Sequence, residues 1–449
     1  MKQRHHDSNY REILQVAIPA SFEAVFQTSF SFIDQIIVGS LGAVAVAAVG
    51  LSNNLAFILT LLYAGIGTGS GAFIAQAYGR RDMDEVSKIA ALGQAATALL
   101  GVCSALPLVL FSVPILHGLG AQEDVVRTAS GYLQFFAASV PMNVMSSVTT
   151  ATFRAMSDSR TPMGVTIGAV VLNTLLALFL VLGVGGFPRL GVTGAGLATL
   201  ISQTLRCLTL LAFLYSRKPG LHWEWPSGHA LRRIGFPLFR VTYPVAISEM
   251  LWGTSTFIYT IVFTRIGTDP LASSQIVTTI ESIFIVAATG LAPAAVATTG
   301  QALGNNAKRN AVEQAGQVLR AGLVAGFVFT AALTAAAFLL PVFYPRIDNT
   351  VLTLAFWGVI VTALVQPAKV VNSIFGTGIL PSGGDTPFVL LSHTISSYAL
   401  GLPVAALTAI VLKLGALSVF GSRALEEVVK AVMLFFRYRT GSWQRRLTT

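Results

Sequence analysis

The stretch Pro19 to Gly42, PASFEAVFQTSFSFIDQIIVGSLG, is long and apolar, yet it carries Glu23, Gln27 and Asp34 within it. As a helix rising about 1.5 Å per residue it reaches across the roughly 30 Å hydrocarbon core of a bilayer. The three polar residues stand at i, i+4 and i+11, so they share one helical face. A carboxylate at mid-span costs about 2.5 to 3.5 kcal/mol on insertion scales, so two on one face call for a compensating use. The usual use is an ion or proton site facing a wet cavity, and Asp34 is the leading candidate. Its alternatives are solvation near the outer interface or a pair with a neighbouring helix.

The rest of the chain repeats this character. Of 449 residues, 54% are hydrophobic and 11% charged, against about 25% charged in an ordinary soluble domain. With a mean hydropathy of +0.71, the chain reads as a polytopic membrane protein. Its net charge of +10 does not point to nucleic acid, because the basic residues fall between apolar segments and not in one patch. Cys103 and Cys207 lie far apart in apolar runs, which suggests packing and neither a disulfide framework nor a metal site. The first apolar span is too long for a signal-peptide core and is expected to be retained.

Polar or Gly/Pro punctuation near residues 41, 80, 118, 158, 187, 220 to 235, 268, 305, 347, 383 and 413 cuts the chain into twelve helices. Arg80, Arg81, Arg154, Arg160, Arg217, Lys218, Arg232, Arg233, Arg240, Lys308, Arg309, Arg437, Arg439, Arg445 and Arg446 fall at alternate connections. By the positive-inside rule that side, with both termini, is cytoplasmic, in a cell inner membrane. The connection RKPGLHWEWPSGHALRRIG interrupts the midpoint. It separates an N-lobe (residues 1–216, helices 1–6) from a C-lobe (236–449, helices 7–12) through a linker at 217–235. At a constant offset Pro19 matches Pro244, Gly42 Gly267, Gly65 Gly290, Gln76 Gln301 and Gly79 Gly304. Six helices per half bring both halves into the membrane from the same side. The expected fold is therefore all-α, two six-helix lobes related by a parallel repeat, with the transport path between them.

Glu249, Glu281 and Lys369 are further ionisable residues deep in spans. Glu249, Trp252, Thr256 and Tyr259 step along one face of helix 7 and suit a cavity wall. Lys369 needs an acidic partner, Glu249 or Glu281, since an unpaired ammonium there would be costly. Arg206, with reach enough to snorkel towards the cytoplasm, is expected to be structural, and His393 to pack. Pro19 removes a backbone hydrogen bond four residues before Glu23, and such a loosened turn beside a carboxylate suits a switch. Gly65-Ile-Gly67-Thr-Gly69 has neither the strand nor the lysine of a phosphate loop. No nucleophile and base pair is evident, so an enzyme is not expected.

Several strings carry a family resemblance: FIDQIIVGSLGAVAVAAVGL, AQAYGRRD, FRAMSDSRTP, GVTGAGLATLIS, GILPSGGDTPF and EEVVKAVMLFFRYRTGSW, in that order along the whole chain. The chain resembles the MATE family of multidrug and toxic compound extrusion antiporters, in a superfamily that also holds lipid-linked oligosaccharide flippases. The resemblance implies that Pro19 and Asp34 correspond to the family's helix 1 kink proline and aspartate, with Gln27 between them. It implies that Asn173 and Thr199 belong to an N-lobe cation site, and that Glu249 is the helix 7 acid of some branches. Ala177 stands where those branches place a second N-lobe aspartate, and Lys369 where some place a helix 10 aspartate.

The expected function is secondary efflux of amphipathic, cationic small molecules by alternating access, in a monomer whose partners are its substrates and membrane lipids. Carboxylates and a 10% aromatic content suit flat cations. No cofactor or metal is expected; the coupling ion is H⁺ or, less readily, Na⁺, because one N-lobe carboxylate furnishes a proton site more easily than a sodium shell. The alternative is a lipid-precursor flippase, which would favour a cationic central cavity.

Overall fold

The structure, a computed structural model, describes residues 2–225 and 227–447. Twelve helical spans follow in order. In the first half these are α1 (Lys2–Gly39), α2 (Ala43–Gly79), α3 (Met83–Leu110), α4 (Glu123–Ala155), α5 (Arg160–Leu182) and α6 (Val192–Arg217). In the second they are α7 (Gly228–Ile266), α8 (Thr268–Gly304), α9 (Lys308–Phe338), α10 (Asn349–Leu364 and Gln366–Ser382, bent by 50° at the break), α11 (Thr386–Val411) and α12 (Ala416–Arg439). The punctuation residues fall in the connections or at helix ends, except that residues 228–235 of the expected linker form the first two turns of α7. Among the described residues eight helices, or nine with the bent α10, are long and apolar enough to cross a membrane. Polar residues explain why α12 falls short of that test: Arg423, Glu426, Glu427 and Lys430 lie within it, and Glu426 and Lys430 are buried against the other C-lobe helices.

Within the first lobe α4 is the hub, packed on α2, α3 and α6, while α5 joins α1 to α6. In the second, α9 packs on α8 and α10, and α12 on α10 and α11. Wide π-type turns loosen α10 at Ile374–Ile379 and α11 at Thr394–Gly401. Such turns shift backbone carbonyls out of register and concentrate where helices carry function.

The lobes meet in reciprocal pairs, and these pairs account for the repeat. Gly65 of α2 lies against the backbone of Ala246 in α7; at the repeat offset, Gly290 lies against Ala17 and Ser21 of α1. Gly79 abuts the main chain of Gln301, and Gly304 abuts that of Gln76. A Cβ at any of the four would collide with backbone. Each contact is thus the twofold image of another, the self-complementary arrangement of a symmetric dimer within one chain. The turn glycines Gly42 (φ 104°) and Gly267 (φ 148°) repeat likewise, both in conformations that side chains disfavour.

The polar seals also lie at this end. Gln76 Nε2 donates to the carbonyls of Ser382 (2.7 Å) and Arg445 (3.0 Å), and the Leu447 N–H donates to Gln76 Oε1 (2.9 Å). Gln301 Nε2 donates to Ala155 O (2.8 Å) and Ser157 Oγ (3.0 Å). Continuing upward from Thr242 and Ala246, the same face of α7 presents Met250 and Phe257, 38% and 66% exposed. The lobes are therefore sealed at the arginine-bearing end and part beyond Ala246, leaving a cleft open to the other side.

A side chain at Gly304 should prevent this seal. Gly304→Val is expected to shift the protein toward opening at the arginine end. The check is the reaction rate of Ser157→Cys, in a background lacking Cys103 and Cys207, with an impermeant thiol reagent: it should rise above that of the Gly304 parent.

Candidate functional site

In the first lobe, α1 brings Asp34 into the interior at 9% exposure, and its Oδ1 is buried without a hydrogen-bond partner. Tyr132 of α4 lies within electrostatic reach of it. One turn further along α1, Ile37 and Val38 pack in one apolar cluster with Tyr132, Ala177 of α5, and Ala195 and Ala198 of α6. Asn173, one turn before Ala177, is 3% exposed. Its Nδ2 donates to Ser202 Oγ (2.8 Å) and Thr199 Oγ1 (3.4 Å), while its Oδ1 is buried without a partner. Asp34, Asn173 and Thr199 therefore stand at one level of the lobe. Ala177 is fully buried, so it supplies packing where a second carboxylate would supply charge.

Glu23 lies elsewhere. It is 1% exposed, held by Arg154 of α4 (2.8 Å), Arg206 of α6 (3.5 Å) and the hydroxyl of Thr166 in α5 (2.8 Å). The expectation that it shares a cavity face with Gln27 is corrected: Gln27 is exposed while Glu23 is a structural tie inside the lobe. Arg206 does not snorkel either, being 8% exposed. Two guanidinium groups and one carboxylate sustain each other where any one alone would be costly. Pro19 is buried, and α1 runs through it as one helix. Next to it, Ser21 Oγ accepts the Gly290 N–H (3.2 Å) at the break in α8, so the weakened turn of α1 sits at the lobe seam.

The second lobe holds a larger network. Lys369 pairs with Glu281, which also accepts from Gln366 Nε2 (2.9 Å); of the two partners left open by the sequence, the structure takes Glu281. Tyr259 is buried, donating to Glu426 Oε2 (2.7 Å), with Arg423 above its ring (5.4 Å). It therefore belongs to the lobe interior and not to the cleft wall; Trp252, 40% exposed, remains on the outer face of α7. Glu281 is likewise interior, and half-buried Lys369 turns its ammonium onto it. Glu427 accepts from Asn372 Nδ2 (2.7 Å) and pairs with Lys430 (3.1 Å). The Lys430 ammonium donates to His393 Nε2 (3.3 Å), which leaves the His393 Nδ1–H for Ser248 Oγ (3.2 Å). Half-buried Glu249 feels the charge of Lys430, not that of Lys369. The sequence reading missed Glu426, Glu427 and Lys430, although EEVVK inside an apolar helix was a signal for them.

Two segments, residues 19–179 and 244–407, each match the MatE family model, and together they cover well over half the chain. The chain belongs to the MatE family. The two MatE matches start at Pro19 and Pro244, the residues that opened the repeat. Relatives include the probable multidrug resistance protein YoeA of Bacillus subtilis, 28% identical over 72% of this chain and 69% of that one. Another is a probable multidrug resistance protein NorM of Thermotoga maritima, 24% identical over 97% and 93%. Among solved structures, a mutant of the Vibrio cholerae MATE transporter VcmN superposes with a TM-score of 0.89 at 18% identity, over 98% of each chain. A MATE family transporter in an outward-facing conformation gives 0.87 at 20% identity, over 98% of this chain and 97% of that one. MatE proteins are multi-pass membrane transporters, and this chain is one of them.

Proposed function

We propose that this MatE chain is a secondary exporter of amphipathic, cationic small molecules, acting as a monomer in the inner membrane with both termini cytoplasmic, and driven by proton entry at Asp34. One observation carries the reading. Among the described residues of its lobe, Asp34 is the deep carboxylate with neither an ionic nor a hydrogen-bond partner, whereas Glu23, Glu281, Glu426 and Glu427 are each held by named donors. A single carboxylate can take up and release a proton without a ligand shell, whereas sodium needs several oxygens to replace its water. Asn173 and Thr199 stand at the level of the acid, and Ala177 contributes no charge there. Pro19 lies at the α1–α8 seam on the helix that carries Asp34, so a change of charge at Asp34 can be passed along α1 to a lobe contact whose turn lacks one hydrogen bond.

The test is ethidium efflux from proteoliposomes under separately imposed gradients. A pH gradient without sodium should drive efflux, and an inward Na⁺ gradient at clamped, equal pH should not. The opposite pattern would overturn proton coupling.

A further inference from the structure

At the arginine-bearing end, a cavity of about 540 Å³ opens beside the lobe seam. Phe73 of α2 walls it from one lobe; Arg240 of α7, Asp385, Arg437 of α12 and the tail residues Arg445 and Arg446 wall it from the other. The charges do not cancel within it. Asp385 is already satisfied: Arg437 Nε and Nη2 grip its two oxygens at 2.7 and 3.0 Å, and Ser442 Oγ donates to Oδ2 at 2.7 Å. Arg240, Arg445 and Arg446 are exposed, and no carboxylate pairs with them among the described residues. Three free guanidinium groups thus converge on one cavity. The second cavity at this end, about 370 Å³, has one arginine beside Tyr78, Met83, side-chain amides and small residues, so mere position at the basic end does not produce the arrangement.

The apolar surroundings identify the occupant. Arg240 stands on α7 four residues after Phe236 and three and seven before Tyr243 and Ile247, with Phe239 one residue before it and four before Tyr243. Phe236, Phe239, Tyr243 and Ile247 are 68%, 64%, 40% and 41% exposed, as expected of a lipid-facing surface. Leu391 of α11 lines the cavity and is itself 48% exposed, so the cavity communicates with that surface. A soluble anion has no use for such a wall; a phosphate group carrying acyl chains does. Guanidinium forks match phosphate oxygens, and basic pockets between helices at this level suit anionic headgroups.

We propose that this cavity binds one anionic phospholipid, its phosphate on Arg240, Arg445 and Arg446 and its chains along the Phe239–Tyr243 stripe of α7 and Leu391. The tail that presents two of the arginines is fixed by Gln76 of the opposite lobe, through the Arg445 carbonyl and the Leu447 N–H. The site is complete while the lobes are sealed here, so its ligand favours the sealed state over the open one.

The experiment is native mass spectrometry of the full chain in detergent, titrated with dioleoyl phosphatidylglycerol or, separately, dioleoyl phosphatidylcholine. The wild type should retain one phosphatidylglycerol and release phosphatidylcholine. Each arginine near a lipid surface is worth about fivefold in affinity, so R240A/R445A/R446A should bind phosphatidylglycerol roughly 100-fold more weakly. R232A/R233A/R309A, which removes equal charge from the same end outside the cavity, should bind as the wild type does. If the triple cavity variant is not recovered folded, R446A alone should show the single-arginine loss. Equal binding by the cavity variants, or an equal loss in the control, would overturn the site. Displacement of the lipid by millimolar inorganic phosphate would do so too, by assigning the arginines to a free anion.

Discussion

Asp34→Asn is expected to insert and fold like the wild type and to lose coupled efflux down to the level of empty proteoliposomes. The substitution keeps the shape and polarity of the side chain while removing its ability to titrate. Among the described residues Asp34 makes no ion pair whose loss would unbalance the lobe, and its Oδ1 has no donor to lose. The contrast with Glu23 separates coupling from stability. Glu23→Gln would leave Arg154 and Arg206 facing each other without their shared carboxylate, so it should reduce the yield of folded protein before efflux can be read. The measurement is ethidium efflux normalised to monodisperse protein reconstituted per vesicle. Wild-type efflux from Asp34→Asn at normal yield would make Asp34 a packing residue and remove the proposed proton site.

How far the sequence could be read follows from the kind of signal each feature leaves. Helices in lipid must satisfy every backbone group internally, so their number and ends are written in apolar length and in the punctuation between spans. The repeat was legible for a sharper reason. Gly65, Gln76 and Gly79 match Gly290, Gln301 and Gly304 because they are the points where one lobe touches the other, and close approach there excludes side chains. The partners of buried charges were less legible, because pairing depends on rotation about each helix axis. Glu23 and Asp34 lie within three turns of each other on α1, yet one is enclosed by two arginines and the other has none. Tyr259 reads as one step of a polar stripe with Trp252, but α12 covers it and leaves Trp252 outside. The charged run of α12 was the costliest omission: its residues sit among apolar ones at spacings that a purely hydropathic reading treats as a helix end.

The second large effect is expected at the pair of Lys369 and Glu281. Lys369→Met removes the ammonium and leaves Glu281 inside the lobe with the Gln366 amide and the more distant charge of Arg423. Glu281→Gln leaves Lys369 within the field of Glu427, which already serves Lys430 and Asn372. Breaking a buried pair from either side costs about 3 to 5 kcal/mol, because the surviving charge keeps its desolvation penalty and loses its compensation. Removing both charges together takes away penalty and attraction alike. The double variant should therefore melt in detergent above either single variant, and near the wild type. Fluorescence-detected size exclusion after heating provides the comparison, and the coupling between the two sites should be favourable and larger than about 1 kcal/mol. Because the two charges are turned onto each other inside the lobe, the double variant should also keep proton-driven efflux. Strictly additive losses would show that Lys369 and Glu281 do not depend on each other. Efflux lost in a stable double variant would instead bring this pair into the transport cycle and leave Asp34 one of two charges that move it.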